Sequence, residues 1–215
     1  MNKGKIPDII DILESNGIFV FEMDFETPKV DGISTITYKG YKVIFLNKYQ
    51  PNDRKRFSLA HELGHMLMHI DIPPKYKELV EDEANIFASE FLMPRDEVLR
   101  QFNSQPFNIK LLADMKRTWH VSMRAVIRRA LNLKFIDKEE YRKWQIIFSK
   151  KGYNKEEPIQ LPTVQPSMIY DTISLYKNEL EYSDKDLMYC MKLDETDYNS
   201  WFLKSLAINT KFISI

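Results

Sequence analysis

The chain has 215 residues, 44% hydrophobic and 29% charged, which suffices for one solid domain plus an extension or for two small domains. Basic and acidic residues both total 31, and this neutral balance argues against bulk attraction to nucleic acid or an anionic membrane. A single cysteine, Cys190, excludes an internal disulfide and a cysteine zinc cluster, and it favours a reducing compartment. No signal-like N-terminal apolar run and no stretch of about 18 apolar residues occurs, so we expect a cytoplasmic protein.

The first quarter of the chain predicts one helix and three strands. Apolar residues on one side of residues 5–16 indicate a short helix. Residues 18–24, 33–38 and 41–47 are rich in β-branched and aromatic side chains, which is typical of strands. The turn at Gly40 is short, and it predicts antiparallel pairing in a small sheet.

The rest of the chain predicts helices. Capping residues and helical periodicity place them at residues 53–69, 75–92, 95–102, 108–118, 122–133, 137–148, 167–180 and 183–206. Three prolines mark residues 150–166 as a linker. We therefore predict an α+β fold, with a small antiparallel sheet on a helical core in residues 1–150 and a linker with a helical C-terminal extension in 151–215. Cys190 is expected in the core of that extension.

The sequence His61-Glu62-Leu63-Gly64-His65 carries the chemistry. Histidines four residues apart lie on one face of a helix, so both imidazoles can bind one metal ion. The intervening Glu62 can take a proton from a metal-bound water and pass it to the leaving amine. With so few histidines, this pattern inside an amphipathic helix favours a zinc site over surface or core histidines.

A third metal ligand is needed, and two candidates compete. Asp71 lies ten residues after His61 and could bind the metal only after a sharp turn of the chain. Met68 stands where a glycine would allow that turn at a low conformational cost. The alternative is the acidic cluster on the next helix, where Glu81 shares a stripe with Asn85. That asparagine can support a histidine ligand by a hydrogen bond, so periodicity favours Glu81.

His69 continues the face of His61 and His65 by one more turn. It is a candidate for supporting the site or for contacting the substrate or its oxyanion. The simpler interpretation is a capping or solvent-facing histidine at a helix end. His120, at a turn between two helices, is interpreted as structural.

Residues 56–69 (RFSLAHELGHMLMH), followed by residues 81–94 (EDEANIFASEFLMP), resemble the ImmA/IrrE family of metallopeptidases. The similarity spans roughly residues 5–150 and implies a zincin-like fold. It also implies that the two histidines and the glutamate three residues before the alanine of EAN, Glu81, bind zinc.

Members of that family cleave, or are needed to cleave, helix-turn-helix repressors of mobile elements or stress responses. The resemblance therefore implies a zinc endopeptidase whose partner is such a repressor. A substrate strand is expected to add to the edge of the 33–47 hairpin.

Two alternatives stay open. Residues 109–133 predict a helix, a short turn and a helix, on which Arg124, Arg128, Arg129 and Lys134 could form a DNA-binding face. The neutral net charge favours an ordinary helical hairpin instead. The other alternative is a metal-containing regulator that binds a repressor without cutting it.

Overall fold

In the computed structural model, residues 5–70, 76–154, 156–162 and 165–199 are described. The chain divides into two compact units, Met1–Val164 and Gln165–Ile215. Within the described residues, no helix combines the length and the apolar character needed to cross a membrane. The first unit extends past the domain boundary expected at residue 150.

The first unit opens with a helix and a three-stranded sheet. Helix α1, Ile9–Ser15, is capped by Asp8, whose Oδ1 accepts from the Ile10 amide at 2.8 Å. The strands are β1 (Ile18–Met23), β2 (Gly32–Ile36) and β3 (Lys42–Asn47), in the order β1-β3-β2.

The sheet is mixed, so the prediction of an antiparallel sheet is correct only for its hairpin. Strand β2 runs antiparallel to β3, whereas β1 runs parallel to it, with Ile18 opposite Lys42. Strand β3 contains buried Val43, Ile44 and Leu46 and takes the centre. The β1–β2 connection is held by buried Asn47, whose Nδ2 donates to the carbonyls of Thr27 and Val30, both at 3.0 Å. This connection carries the chain across to the far edge of β3.

Helices α2 (Asn52–Met68) and α3 (Lys77–Leu92) pack closely against each other. Their contact depends on small residues, because a Cβ added to Gly64 would lie 3.4 Å from the Cα of Ala84. Helical periodicity predicts a buried stripe of Phe57, Ala60, Gly64 and Leu67 on α2, and this prediction is wrong at Leu67, which is 60% exposed.

Four further helices complete the core of the first unit: α4 (Arg95–Phe102), α5 (Ile109–Trp119), α6 (Met123–Asn132) and α7 (Lys138–Lys150). Side chains of Asn108, Ser122 and Asp137 cap α5, α6 and α7, as their sequence predicts. His120 ends α5 in the left-handed conformation, at φ 56°, which agrees with its structural interpretation.

The segment that follows α7 packs onto this unit. Glu157 accepts hydrogen bonds from the Met123 and Arg124 amides at the start of α6, at 2.8 and 3.1 Å, and pairs with Lys116 Nζ at 2.8 Å. The Asn52 side chain donates to the Leu161 carbonyl at 3.2 Å. Much of the predicted linker is therefore anchored by specific hydrogen bonds.

The second unit contains α8 (Met168–Asn178), α9 (Asp184–Met191) and α10 (Glu195–Tyr198) around buried Ile173, Leu187 and Tyr198. The prediction of one helix over residues 183–206 is wrong in its described part, because Lys192 adopts φ 55° and ends α9. Residues 200–206 lie outside the described residues. Cys190 is exposed, which corrects its expected place in the core.

Candidate metal centre

Three side chains from α2 and α3 converge on one point. The Nε2 atoms of His61 and His65 lie 3.0 Å apart, on one face of α2 as their spacing predicts. Glu81, on α3, places Oε2 3.3 Å from the His61 Nε2 and Oε1 3.6 Å from the His65 Nε2. One ligand atom from each of the three residues lies within 4.8 Å of the others. The competing candidate Asp71 lies outside the described residues.

Asn85 lies beside the first histidine. Its Oδ1 lies 3.2 Å from the Nδ1 of His61. An amide oxygen only accepts, so a hydrogen bond in this contact requires the proton of His61 on Nδ1 and leaves the lone pair on Nε2, the nitrogen that lies near His65 and Glu81. This is the hydrogen bond expected for Asn85 from its position one turn after Glu81.

His65 contacts His69 on its opposite side. The Nδ1 atoms of the two rings lie 3.0 Å apart, and the Nε2 of His69 lies 3.0 Å from Oε2 of Glu83. His69 therefore meets the ring nitrogen of His65 that points away from Glu81. Helical periodicity directs Glu83 more outward than Glu81, so the sequence alone does not connect Glu83 to the site.

The three converging groups fit a zinc ion. Tetrahedral zinc with bonds of 2.0–2.1 Å places its ligand atoms about 3.3 Å apart, close to the 3.0, 3.3 and 3.6 Å found here. Burial, reinforced by the positive charge that His61 would carry, lowers the pKa of His65 and so favours its neutral imidazole form. Neutral imidazoles and a carboxylate are the forms that bind the metal.

Glu62 points to the sheet side of α2. It is buried, and its Oε2 accepts a hydrogen bond from the Ser34 hydroxyl of β2 at 2.6 Å. The neighbouring Gly32 leaves room for it, since a Cβ there would lie 3.3 Å from the Glu62 Cγ. The sequence did not identify Ser34, because only the packing of β2 on α2 brings it to this carboxylate.

A groove of about 1190 Å³ borders the centre on the Asn85 side of α3. Its walls include Phe57, Asn85, Arg128 and Tyr141. Among the described residues that line it, none is a candidate metal ligand. The groove therefore adjoins the site without containing it.

The arginines of the predicted helix-turn-helix mostly contact the chain itself. Arg129 is buried, donates to the Met93 carbonyl at 3.1 Å and pairs with Glu90. Arg124 donates to the Asn154 side chain at 3.0 Å, and Arg128 lies over the ring of Tyr141. Of these three arginines only Arg129 is buried, so it has a role in packing α6, whereas Arg124 and Arg128 remain exposed.

A histidine pair with an intervening glutamate on one helix, joined by a carboxylate from the next helix, is typical of metal-dependent peptidases. The family model Peptidase_M78, described as the IrrE N-terminal-like domain, matches residues 13–131. The chain belongs to this family, which confirms the resemblance of residues 56–69 and 81–94.

A solved structure of a Mycobacterium tuberculosis transcriptional regulator is also similar, at 17% identity and a TM-score of 0.43. The similarity covers 57% of this chain and 39% of that chain, so it extends over well under half of the regulator. No curated protein matches the sequence.

Proposed function

We propose that the first unit is a zinc-dependent endopeptidase in which His61, His65 and Glu81 hold the metal and Glu62 moves the proton. The observation that carries this proposal is the convergence of two imidazole nitrogens and a carboxylate within 4.8 Å. Three protein ligands leave one position open, which is the coordination typical of catalytic zinc.

Each residue has a defined part in the reaction. A zinc ion bound there would polarise the scissile carbonyl and lower the pKa of a water molecule toward neutrality. Glu62 accepts the proton from the attacking water and later donates it to the leaving amine. The Ser34 hydroxyl, 2.6 Å from Oε2, orients this carboxylate between the two transfers.

Strand β2 supplies a binding edge for an extended peptide. Within the described residues the sheet ends at β2, and the Thr37 amide bonds back to the Tyr41 carbonyl of the hairpin. Hydrogen-bonded pairs such as Thr37–Tyr41 alternate with non-hydrogen-bonded pairs along the hairpin, so the backbone groups of the odd-numbered residues of β2 face β3. The backbone groups of Gly32, Ser34 and Ile36 face the open edge. A substrate strand paired there would pass beside Glu62.

The substrate that we propose is a helix-turn-helix repressor of a mobile element or stress response. The support for this class is the family resemblance of residues 56–69 and 81–94. The buried position of Arg129 removes one arginine of α6 from a DNA-binding face, and together with the neutral net charge this favours a protein substrate over a nucleic-acid partner.

Substitution of Glu62 by glutamine tests the proposal, because it keeps the size of the side chain and removes the base. The zinc-loaded wild type should cut a candidate repressor into defined fragments, and a chelator should abolish the cleavage. Glu62→Gln should bind zinc as the wild type does and yield no fragments.

Two outcomes contradict the mechanism. Cleavage at the wild-type rate by Glu62→Gln removes the proton-transfer role. Tight, chelator-sensitive binding of the repressor by wild type without any fragment would instead identify a metal-containing regulator that binds its partner without cutting it.

A further inference from the structure

Two side chains extend the site away from the metal, on the far side of His65. The His65 Nδ1 lies 3.0 Å from the His69 Nδ1, and the His69 Nε2 lies 3.0 Å from Oε2 of Glu83. The His69 side chain is 4% exposed and that of Glu83 is 47% exposed. This row therefore runs from the partly exposed His65, through the nearly buried side chain of His69, to Glu83 at the protein surface.

The directions of the hydrogen bonds follow from the chemistry of the groups. An ionised carboxylate only accepts hydrogen bonds, so Glu83 accepts one from the Nε2–H group of His69. A histidine that binds a metal through Nε2 carries its proton on Nδ1, so the Nδ1 of His69 is the acceptor in the contact between the two rings. That Nδ1 then accepts from Nδ1–H of His65, and the free lone pair of His65 is on Nε2, 3.0 Å from the Nε2 of His61.

We propose that His69 and Glu83 are positioning residues that fix the tautomer and the ring orientation of His65. The inference rests on the proposed function in one respect, namely that His65 holds the metal. A hydrogen bond to the outer ring nitrogen makes a metal-binding histidine more basic and restricts its rotation. Neither residue belongs to the group of side chains that could hold the metal, which is His61, His65 and Glu81, and His69 meets the ring nitrogen of His65 that faces away from His61.

The two histidine ligands thus receive unequal support. His61 donates to a neutral amide oxygen of Asn85 at 3.2 Å, whereas His65 is linked through His69 to a carboxylate. The His69–Glu83 pair also joins the end of α2 to α3. A purely structural role at this junction would affect folding and leave the tautomer of His65 unchanged.

Zinc affinity, measured by competition with a chromophoric chelator, tests the proposal independently of activity. Loss of such outer partners typically weakens metal binding about 10–100-fold. We expect a loss in this range for Glu83→Ala and for His69→Phe. Glu83→Gln keeps an accepting oxygen and should retain an affinity between those of the wild type and Glu83→Ala.

Asp82→Asn is the matched control, because Asp82 is the exposed neighbour of Glu83 on α3 and the charge change is equal to that of Glu83→Gln. It should bind zinc almost as tightly as the wild type. Because Glu83 is nearly half exposed, its variants test the hydrogen bonds without removing a core side chain.

Long-range ¹⁵N–¹H correlation spectra of the His65 ring supply the second measurement. In the metal-free wild type, His65 should carry its proton on Nδ1, and Glu83→Ala should show a mixture of tautomers. Affinities and spectra of Glu83→Ala that equal those of Asp82→Asn would overturn the positioning role. If His65→Ala still abolished zinc binding, the metal centre itself would stand. Absence of zinc binding by wild type would overturn both.

Discussion

Replacing Gly64 with alanine tests whether the contact between α2 and α3 sets the separation of the metal ligands. The added Cβ would lie 3.1 Å from Cδ1 of Phe87 and 3.4 Å from Cα of Ala84. Carbon atoms in contact prefer about 3.5–4.0 Å. The ring or the helix backbone therefore has to yield by about 0.4 Å or more.

The effect on stability is the difference of two terms. Overpacking in a filled site costs about 1–3 kcal/mol, and alanine gains about 1 kcal/mol over glycine in a helix. We expect the free energy of unfolding of the metal-free protein to fall by about 1 kcal/mol.

The loss of zinc-binding free energy should be larger than the loss of unfolding free energy. Gly64 precedes His65 on α2, and Ala84 lies one turn after Glu81 on α3. Ligand distances must be met within about 0.2 Å, so a shift of a few tenths of an ångström separates the carboxylate from the imidazoles. We expect zinc affinity to fall about tenfold, equivalent to about 1.4 kcal/mol.

Urea denaturation and zinc competition measure the two effects, and Phe87→Leu provides the control. Replacing the Phe87 ring with leucine should remove the close contact with the added Cβ. The double variant Gly64→Ala/Phe87→Leu should therefore show a coupling energy of about 0.5 kcal/mol or more. Gly64→Ala would refute the reasoning if it gained the full alanine preference in stability and bound zinc as tightly as the wild type.

Two further predictions concern residues that support the site and the fold. Ser34→Ala should lower kcat about tenfold, as expected for a misplaced base, with KM and zinc affinity unchanged; an unchanged kcat would remove Ser34 from the mechanism. Lys116→Met leaves the Asp53 and Glu157 carboxylates, now 2.7 and 2.8 Å from its Nζ, without a cation, and should cost about 3–5 kcal/mol in urea denaturation. The control is Lys110→Met, at an exposed position of the same helix. An equally small loss of stability in both variants would contradict the stabilising role of the buried ion pairs of Lys116.

The sequence predicts the local part of the site well, because helical periodicity alone determines which residues share a face. The spacing of His61 and His65 requires nothing beyond one helix. Glu81 and Asn85 share a stripe of the next helix, and the structure places the Asn85 oxygen 3.2 Å from His61. Capping side chains likewise identified the helix starts at Asn108 and Ser122.

The parts that the sequence did not reveal depend on how elements pack. The parallel pairing of β1 with β3 follows from a connection held by Asn47, which no local pattern indicates. Ser34 meets Glu62 only because β2 lies on α2. The contact of His69 with Glu83 depends on the path of the chain between α2 and α3, and so on tertiary structure. The break at Lys192 needs a left-handed residue that is not glycine.

X-ray absorption spectroscopy at the zinc edge tests the composition of the metal centre most directly. The account predicts one zinc ion per chain, bound by two imidazole nitrogens, one or two carboxylate oxygens and a water oxygen at about 2.0–2.2 Å. Glu81→Gln should lose the carboxylate contribution and most of the affinity, whereas Glu78→Gln, one turn earlier on α3, should match the wild type. A spectrum with a single imidazole, or one that Glu81→Gln leaves unchanged, would contradict the assignment.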